Sequence, residues 1–344
     1  MGSRYLFLLL LILILPLAAQ ARTAAEQTFD SFTLHWENDA FTGTDRDYTN
    51  GFKLTWSTPY ERAQSTPHLP GWSYPLINHL PFVNDPDLLR SVSVSIGQDI
   101  YTPEDSDRRD LIVADRPYAG WTYLTAGLHG IVGNQKMSWG LTVGVLGPLS
   151  LAEDTQNFTH NLLGLDPSEG WDNQLENELT VDLAFESQWR WLRSRRVHGF
   201  GYDLIPHLGG RIGTTNISAN AGAEMRFGWN LPNDFGSCPI RVGCETNSAS
   251  NGEGTGFSNQ DKLGFHFFTA IDGKAILRDI YLDGNTFRSS HSVDKKPFVA
   301  DIMAGIAWRY KNIKTTYSYI YRTKQFKTQT GRQAFGSLSV AWSY

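Results

Sequence analysis

The sequence predicts an all-β fold: a twelve-stranded antiparallel transmembrane β-barrel with a short α-helix in an extracellular loop. Three observations lead to it. The chain begins with an export signal; it has 13% aromatic residues and 32 glycines but only two cysteines among 344 residues; and much of it alternates apolar and polar residues with the period of a β-strand. A secreted chain so poor in cysteine is not a disulfide scaffold, which leaves a soluble β protein or a barrel.

Residues 1–21 are predicted to be a secretory signal peptide. Arg4 precedes an apolar run from Tyr5 to Leu15, and Ala19-Gln20-Ala21 supplies small residues for cleavage. The run is too short for a membrane-spanning helix. Residues 22–344 are therefore expected to form a single barrel domain. A formal net charge of -5 argues against a nucleic-acid partner, and no feature indicates an obligate protein partner.

Alternation along the strands favours a barrel over a soluble sandwich. Each segment offers one apolar and one polar face, and a membrane barrel turns the apolar face to lipid and the polar face to the lumen. In the second segment the apolar face is predicted to carry Tyr48, Phe52, Leu54 and Trp56, and the polar face Thr49, Gly51, Lys53 and Thr55; in the last segment, Leu338, Val340, Trp342 and Tyr344 lie against Ser337, Ser339, Ala341 and Ser343.

Two further features favour a barrel of the bacterial outer membrane. The polar faces carry more charge than a half-exposed sheet needs, at Lys53, Asp182, Glu186 and Glu224. Aromatic residues near segment ends resemble an interfacial girdle: Trp36, Trp56, Trp121, Trp229, Trp308 and Tyr310.

Twelve segments are predicted as strands, consistent with the even strand numbers of bacterial barrels. They lie near 31–38, 48–57, 91–99, 119–130, 136–146, 179–191, 201–213, 217–229, 263–274, 298–310, 312–324 and 334–344. A weaker run at 276–283 is assigned to a loop. If both termini are periplasmic, the polar loops 39–47, 100–118 and 147–178 face the cell exterior. The long connections 58–90 and 230–262 then lie on the periplasmic side, where barrel turns are normally short.

The third outer loop is predicted to contain a helix. Ser150 and Glu153 fit a capping box, and Gly164 supplies a C-terminal stop about three turns later. Gln156 and His160 lie one turn apart on this helix, with Phe158 and Leu162 expected to press His160 against a neighbouring element. Histidines in barrel loops are often incidental, so the helix alone does not assign a function to His160.

Several motifs taken together resemble the outer-membrane lipid A 3'-O-deacylase family, LpxR. They are "ENDAF", "DRDYTNG", "GQDIYTP", "DRPYAGW", the residues Gln156, His160 and Gly164, and "GWDNQLENE", in matching order from residue 37 to 178. The resemblance implies a twelve-stranded barrel, an outer-loop helix with a catalytic histidine, and removal of the 3'-linked acyloxyacyl group from lipid A or lipopolysaccharide in the outer leaflet. Its proposed chemistry is similar to that of calcium-dependent phospholipase A2.

Position by position, the resemblance implies catalytic roles for Asn38, Asp39, Thr49, Gln156 and His160. Two positions depart from the family pattern. The acidic residue after the helix is Asp166 where the family has glutamate, and Arg108 aligns with a substrate-binding lysine.

The implied chemistry suits these residue types. A histidine supplies a base near neutrality for water attack on an ester. Calcium stabilises the oxyanion, and carboxylate oxygens such as those of Asp39 and Asp166 are the ligands that calcium prefers.

Two other functions remain open. An outer-membrane phospholipase would share the barrel and the ester chemistry, and a non-enzymatic barrel would be a pore or a structural protein.

Away from the candidate site, Cys238 and Cys244 are expected to form a local disulfide. A basic turn at the periplasmic rim is expected to be solvated; it consists of Arg190, Arg193, Arg195 and Arg196. Trp171 and Glu178 are assigned no chemistry.

Overall fold

The computed structural model of the chain describes residues 29–39, 47–62, 74–77, 79–81, 83, 85, 87–164, 166–192, 194, 199–237 and 263–344. Antiparallel strands pair in chain order, and pairing of the last strand with the first closes the barrel. The twelve barrel strands are β1 Ser31–Asn38, β2 Asp47–Ser57, β3 Leu89–Thr102, β4 Ala119–Val132, β5 Gln135–Leu146, β6 Glu178–Trp189, β7 Phe200–Gly213, β8 Asn216–Trp229, β9 Gly264–Asp279, β10 Phe298–Tyr310, β11 Ile313–Arg322 and β12 Gln333–Ser343. The twelve-stranded barrel is thus confirmed.

Three α-helices, two 3-10 turns (Pro148–Ser150 and Trp171–Asn173) and one short strand complete the described secondary structure. The helices are α1 Tyr74–Ile77, α2 Ala152–Leu163 and α3 Ile280–Asp283, and the two-residue strand Glu61–Arg62 extends the sheet beside β3. No helix in the described ranges is long and apolar enough to cross a membrane. The predicted signal peptide, Cys238 and Cys244 lie outside the described residues.

The assignment of 276–283 to a loop is wrong in part. Strand β9 runs on to Asp279, with a register shift between Ile276 and Arg278. Helix α3 follows at once, because the Asp279 side chain accepts a hydrogen bond from the backbone N–H of Tyr281 and so caps the helix.

Side chains alternate between the lumen and the outer face of the barrel. The four charged residues predicted for the lumen are all buried: Lys53, Asp182, Glu186 and Glu224. The outer face carries exposed apolar side chains, which we call the apolar belt; its members include Val94, Ile96, Leu124, Leu141, Val143, Leu179, Val181, Met225, Phe227, Phe267, Ile271 and Ile302. This is the pattern of a barrel whose outer face meets lipid.

Two aromatic residues were predicted on the wrong face. Tyr48 lines the lumen rather than the apolar belt, because a register shift leaves Thr49 as an extra residue between the pairs that Tyr48 and Asn50 make with β3. Trp121 is 3% exposed and also lines the lumen, where its indole N–H donates to Thr180 Oγ1 over 2.8 Å.

We call the two ends of the barrel the loop end, which carries α2, and the terminus end, which carries both chain termini. At the loop end, four connections interlock across the lumen. Asn285 donates to the Glu176 carbonyl over 2.9 Å, and His291 Nε2 lies 2.7 Å from the Asp115 carbonyl. Thr328 also donates to the carbonyl of Ala114. Beneath these connections lies a polar cavity of about 220 Å³.

At the terminus end, the segment Leu231–Ser237 folds back into the barrel; we call it the plug. Asp234 accepts hydrogen bonds from Lys314 and Arg226, whose side chains point into the lumen from β11 and β8. The backbone N–H of Ser237 donates to both oxygens of Glu224, over 3.0 and 2.9 Å. The plug accounts for part of the length of the connection 230–262, whose residues from 238 onward lie outside the described ranges.

The plug also changes the expectation for Arg190. The prediction of a solvated side chain is wrong, because Arg190 Nη1 donates to the Asn233 carbonyl over 2.7 Å. Its guanidinium also lies 4.5 Å from the centre of the Phe235 ring.

Candidate active site on the outer face of the barrel

Helix α2 ends as predicted but begins without the predicted capping box. The predicted box is wrong: no side chain caps the first turn, and Leu151 enters the helix in the left-handed conformation, with φ 58°, after a 3-10 turn over Pro148–Ser150. The Ser150 hydroxyl is buried and makes no hydrogen bond within the described part of the chain. The stop is as predicted, since Gly164 has φ 71° and its N–H reaches back to the carbonyls of the last turn.

The helix is clamped to the outer face of the barrel wall. Trp121 and Tyr123 of β4 line the lumen, so Gly120 and Thr122 face outward. A Cβ at Gly120 would overlap both Ala152 and Ser150, so only glycine allows this approach.

The carbonyl of Ser150 completes the clamp. It accepts hydrogen bonds from Gln98 Nε2 of β3 and Thr122 Oγ1 of β4, each at 2.7 Å. The start of the helix is therefore fixed to two adjacent strands.

One face of α2 is buried against the wall. Ala152, Gln156 and His160, four residues apart, are 2%, 1% and 4% exposed. Phe158 is 66% exposed, so the prediction that it presses on His160 is wrong; its position on the helix turns it away from the wall. The side chain of Leu162 lies outside the described part of the structure.

The hydrogen bonds of His160 define its tautomer. Its Nδ1 lies 2.5 Å from the backbone carbonyl oxygen of Asp166. A carbonyl oxygen can only accept, so Nδ1 carries the proton in the neutral ring and Nε2 holds the lone pair. Nε2 lies 3.4 Å from the amide nitrogen of Gln156, which can donate to it. This arrangement leaves Nε2 as the basic atom of the ring.

Asn38 of β1 and Thr49 of β2 lie on the same outer face, and Asp39 directly follows β1. Asn38, Asp39 and Thr49 are 4%, 1% and 3% exposed. Asn38 Nδ2 lies 3.5 Å from Asn50 Oδ1, and Thr49 Oγ1 lies 2.7 Å from Thr102 Oγ1 at the end of β3. The register shift at Thr49 matters here, since it adds a residue to the strand at this level.

A continuous row of paired residues links the two groups. Asn38 pairs with Asn50, Asn50 with Ile100, and Ile100 with Gly120, on which α2 rests. Neighbouring strands lie about 4.8 Å apart, so the backbones of Asn38 and Gly120 are separated by roughly 14 Å along this row. This row places Asn38 at the same level of the outer wall as Gly120, the contact point of α2, while Gln156 and His160 lie together on the helix.

Two predicted site residues have exposed side chains. Arg108 and Asp166 are both exposed, and it is the backbone carbonyl of Asp166 that contacts His160. The loop around Arg108 nevertheless packs on the segment after α2, because Glu169 donates its N–H to the Ser106 carbonyl over 3.0 Å.

The site offers oxygen donors of the type that calcium prefers. Asp39 is buried, and Gln156 Oε1 is a buried acceptor with no hydrogen-bond partner among the described residues. Amide and carboxylate oxygens both suit calcium, which takes six to eight oxygen ligands, including water. The donor chemistry therefore fits, although no group of three His, Cys, Asp or Glu residues within the described ranges could hold a metal.

Sequence reasoning missed several residues that build the site. Asn50 accepts from both Trp36 and Asn38, but beside Gly51 it has the appearance of a turn residue. Trp171 is 2% exposed and packs with Tyr118, Ile100 and Ala152 under the helix. Glu178, also given no role, accepts from Asn285 and Thr286 and so ties the α2 loop to the neighbouring connection. These are tertiary contacts between segments that are distant in the sequence.

Comparisons with known proteins agree with this architecture. A family model described as "Outer membrane protein LpxR" matches residues 6–344. Among solved structures, LpxR from Salmonella typhimurium superposes with a TM-score of 0.70 at 17% identity, covering 91% of this chain and 100% of that one; at this identity the likeness shows the fold alone.

The β domain of the Bordetella autotransporter BrkA has a TM-score of 0.45 at 7% identity, covering 92% of this chain and 100% of that one, and carries no argument here. No curated protein sequence matches this chain at a significant level.

Proposed function

This chain belongs to the LpxR family of outer-membrane proteins, and on that premise we propose that it hydrolyses the 3'-linked acyloxyacyl ester of lipid A. In the proposal the loop end faces the cell exterior, so the site meets lipid A in the outer leaflet. The substrate is thus the lipid portion of lipopolysaccharide, and the reaction is that of a carboxylic ester hydrolase.

One observation carries the proposal: a buried histidine with a defined basic nitrogen lies between α2 and the outer face of the barrel wall. His160 Nδ1 is engaged by the Asp166 carbonyl, and its Nε2 is the basic atom. The site borders the apolar belt, where an ester in the membrane can approach sideways. An enzyme for soluble esters would not need its site on this face.

Histidine chemistry accounts for the hydrolysis step. In the proposal Nε2 of His160 accepts a proton from a water molecule as the water oxygen bonds to the ester carbonyl carbon. When the ester C–O bond breaks, the same nitrogen returns the proton to the departing sugar oxygen. The products are a free acyloxyacyl acid and a 3'-hydroxyl group. A positioned base of this kind contributes about 10²- to 10⁴-fold.

Calcium is part of the proposal. Asp39 is the residue that we propose as a ligand, with Asp166 as the second carboxylate implied by the family resemblance. Bound there, calcium supplies positive charge to the ester carbonyl oxygen as it becomes an anion. Asn38, Thr49 and Gln156 are proposed to position water and substrate, and Arg108 to bind the headgroup, since guanidinium groups pair well with phosphate.

The lumen argues against a pore. The plug is held by ion pairs of Asp234 with Arg226 and Lys314 at the terminus end. Interlocked connections cover the loop end. A water-filled pore needs a continuous path, and among the described residues both ends of the lumen are occupied.

The deciding experiment is mass spectrometry of lipid A from cells that express the protein. We expect the wild type to remove one 3'-acyloxyacyl group, and His160→Ala or calcium chelation to abolish the removal. His79→Ala is the control, because His79 is exposed and far from α2 in the chain. Unchanged lipid A despite a folded, heat-modifiable wild-type barrel would overturn the proposal. Release of fatty acid from glycerophospholipid instead would favour the phospholipase.

A further inference from the structure

A second feature of the outer face lies on the opposite wall from α2. Strands β8, β9 and β10 place small residues side by side: Ala221 pairs with Gly273 and Gly273 with Ala300, while Ala219 pairs with Ala275. These side chains point away from the lumen, because the alternate residues Asn220 and Asp272 line the lumen cavity. The surface here is therefore lowered relative to the rest of the apolar belt.

The lowered surface is a groove with walls. Its volume is about 690 Å³, and larger apolar side chains stand beside the small ones: Leu208 from β7 is 54% exposed and Phe298 from β10 is 74% exposed. Gly273 lies open on the groove floor, since a Cβ added there would approach nothing closer than the Ala221 carbonyl oxygen at 3.7 Å. The groove lies in the half of the barrel toward the loop end, where β8 and β10 begin and β9 ends.

Two lysines line the groove toward the loop end. Lys296 precedes β10 and Lys324 follows β11, and both line the groove. Backbone hydrogen bonds hold them near each other: the N–H of Lys296 donates to the Gln325 carbonyl over 2.7 Å, and Thr323 and Ala300 exchange bonds of 2.9 Å. Among the described residues neither ammonium group forms an ion pair, in contrast to the neighbouring Lys295, which binds Asp283 at 2.8 Å.

We propose that this groove binds a phosphorylated, multiply acylated lipid of the outer leaflet, of the lipid A class. One acyl chain lies along the floor of small residues, and a phosphate of the headgroup meets Lys296 and Lys324. An acyl chain in the groove touches protein on three sides, unlike a chain on the convex wall. Long lysine side chains can reach the headgroup level from this depth. Charge complementarity thus selects an anionic lipid over a neutral one.

This binding site is separate from the candidate active site and does not require hydrolysis. The site of His160 lies on β1 to β4, whereas the groove lies on β7 to β10. A chain that never cleaves lipid A would still be expected to hold one lipid molecule here. The groove shares with the proposed function only the orientation of the loop end toward the cell exterior, and the loss of hydrolysis would leave lipid binding in the groove unchanged.

Native mass spectrometry of the full-length barrel from detergent micelles tests the groove. Bisphosphorylated hexa-acyl lipid A is added to the His160→Ala protein, which keeps the lipid intact. We expect Gly273→Leu, which fills the groove, to remove one bound lipid A molecule. Ala304→Leu is the control, since Ala304 is exposed on the same strand face of β10 outside the groove. Ala221→Leu serves as a second groove-filling variant if Gly273→Leu does not fold.

The lysines are tested in the same measurement. Lys296→Gln and Lys324→Gln should each weaken the groove-bound lipid about fivefold, since a basic residue near a membrane surface contributes on the order of a fivefold change in affinity for anionic lipid. Lys311→Gln, at the terminus end, should change nothing. Lipid A without its phosphates should lose the same bound molecule, and inorganic phosphate should not compete for it.

Three results would overturn the proposal. The first is that filling the groove leaves the number of lipid A molecules bound to the parent protein unchanged, which would mean that the protein binds only annular lipid. The second is an equal loss in Gly273→Leu and Ala304→Leu. The third is retention of dephosphorylated lipid A with the affinity of the intact lipid, which would remove the role of both lysines.

Discussion

His160 illustrates how one backbone contact can define the chemistry of a side chain. The carbonyl of Asp166 accepts a hydrogen bond from the Nδ1–H of His160, which leaves the lone pair on Nε2. Because the acceptor belongs to the backbone, the side chain at position 166 is free for another task. Its exposed carboxylate is the part that the family resemblance assigns to calcium.

Asp166→Ala separates these two tasks. We expect the maximal rate of lipid A hydrolysis to stay within about threefold of the wild type, because the backbone carbonyl remains. The calcium concentration for half-maximal activity should rise about 10- to 100-fold, as for loss of a metal-supporting group. Calcium titration of purified protein with lipid A in micelles measures both quantities.

Asp154→Ala is the matched control, since Asp154 is an exposed carboxylate in the first turn of the same helix. A fall in the maximal rate of Asp166→Ala with an unchanged calcium titration would contradict a metal role for the carboxylate.

At the scale of elements, the position of α2 depends on a glycine and a carbonyl. Gly120 lets the helix touch the wall, and the Ser150 carbonyl accepts hydrogen bonds from two strands. The barrel strands do not depend on this contact. A change at the contact should therefore affect activity and leave the barrel intact.

Gly120→Val tests the clamp. The new side chain would overlap Ala152 and Ser150, so we expect α2 to shift and lipid A hydrolysis to fall at least about 100-fold, since a misplacement of about 1 Å can cost that much. Heat modifiability on gels should stay normal. Ala304→Val, at an exposed position on the outer face of β10 outside both sites, is the control and should keep full activity. Full activity in Gly120→Val would show that the clamp does not position His160.

Ser150→Ala, in contrast to Gly120→Val, is expected to leave the activity unchanged. The hydroxyl of Ser150 is buried and has no hydrogen-bond partner in the described ranges, whereas the backbone carbonyl makes the contacts. Removing a buried polar group without a partner is neutral or stabilising, by up to about 1 to 3 kcal/mol. Chemical denaturation should show equal or greater stability, with unchanged activity. A loss of activity would show that the hydroxyl acts in the site.

The sequence predicts the strands and the helix better than it predicts which face of the barrel a side chain lies on or how the helix begins. All twelve strands follow from period-two alternation, and the end of α2 follows from Gly164. The alternation cannot show the extra residue at Thr49, because a register shift is visible only when both strands are paired. The capping box failed for a related reason: the Ser150 carbonyl is engaged by strands that are distant in sequence.

In the candidate site, too, the sequence predicts some residues and misses others. The family motifs identify His160 and Asp39, whose residue types suit the proposed chemistry. Asn50 and Trp171 support the site through tertiary contacts that no local pattern reveals.

For the whole molecule, the plug links the terminus end to the stability of the barrel. Burial raises the pKa of the Asp234 carboxyl, but Lys314 and Arg226 outweigh this and hold it well below its ordinary value. A carboxyl with a lowered pKa stabilises the fold above its unfolded value, about 3.9, and this contribution is lost as pH falls toward the lower folded value. The plug should therefore weaken in acid.

Asp234→Asn measures that contribution. We expect the variant to lose about 3 to 5 kcal/mol at pH 7, because two buried cations lose their shared partner. Between pH 4 and pH 2 it should lose less additional stability than the wild type, since the titrating group is gone. Denaturation in detergent at both ends of this range provides the comparison.

Asp294→Asn is the matched control for the plug. Asp294 pairs with Lys327, but the two side chains are 77% and 69% exposed, so little effect is expected. Equal acid sensitivity of Asp234→Asn and the wild type would mean that other carboxyls determine the pH response.

The placement of α2 on the outside of the wall has a kinetic consequence. A site that opens toward the membrane takes its substrate from the two-dimensional leaflet. In the proposed reaction, turnover is therefore governed by the surface density of lipid A, that is, the number of molecules per unit area. Adding inert lipid at constant total lipid A should slow the reaction by surface dilution, even though the bulk concentration is unchanged. Tight packing of the leaflet should slow it too, because each new substrate molecule must arrive by lateral diffusion.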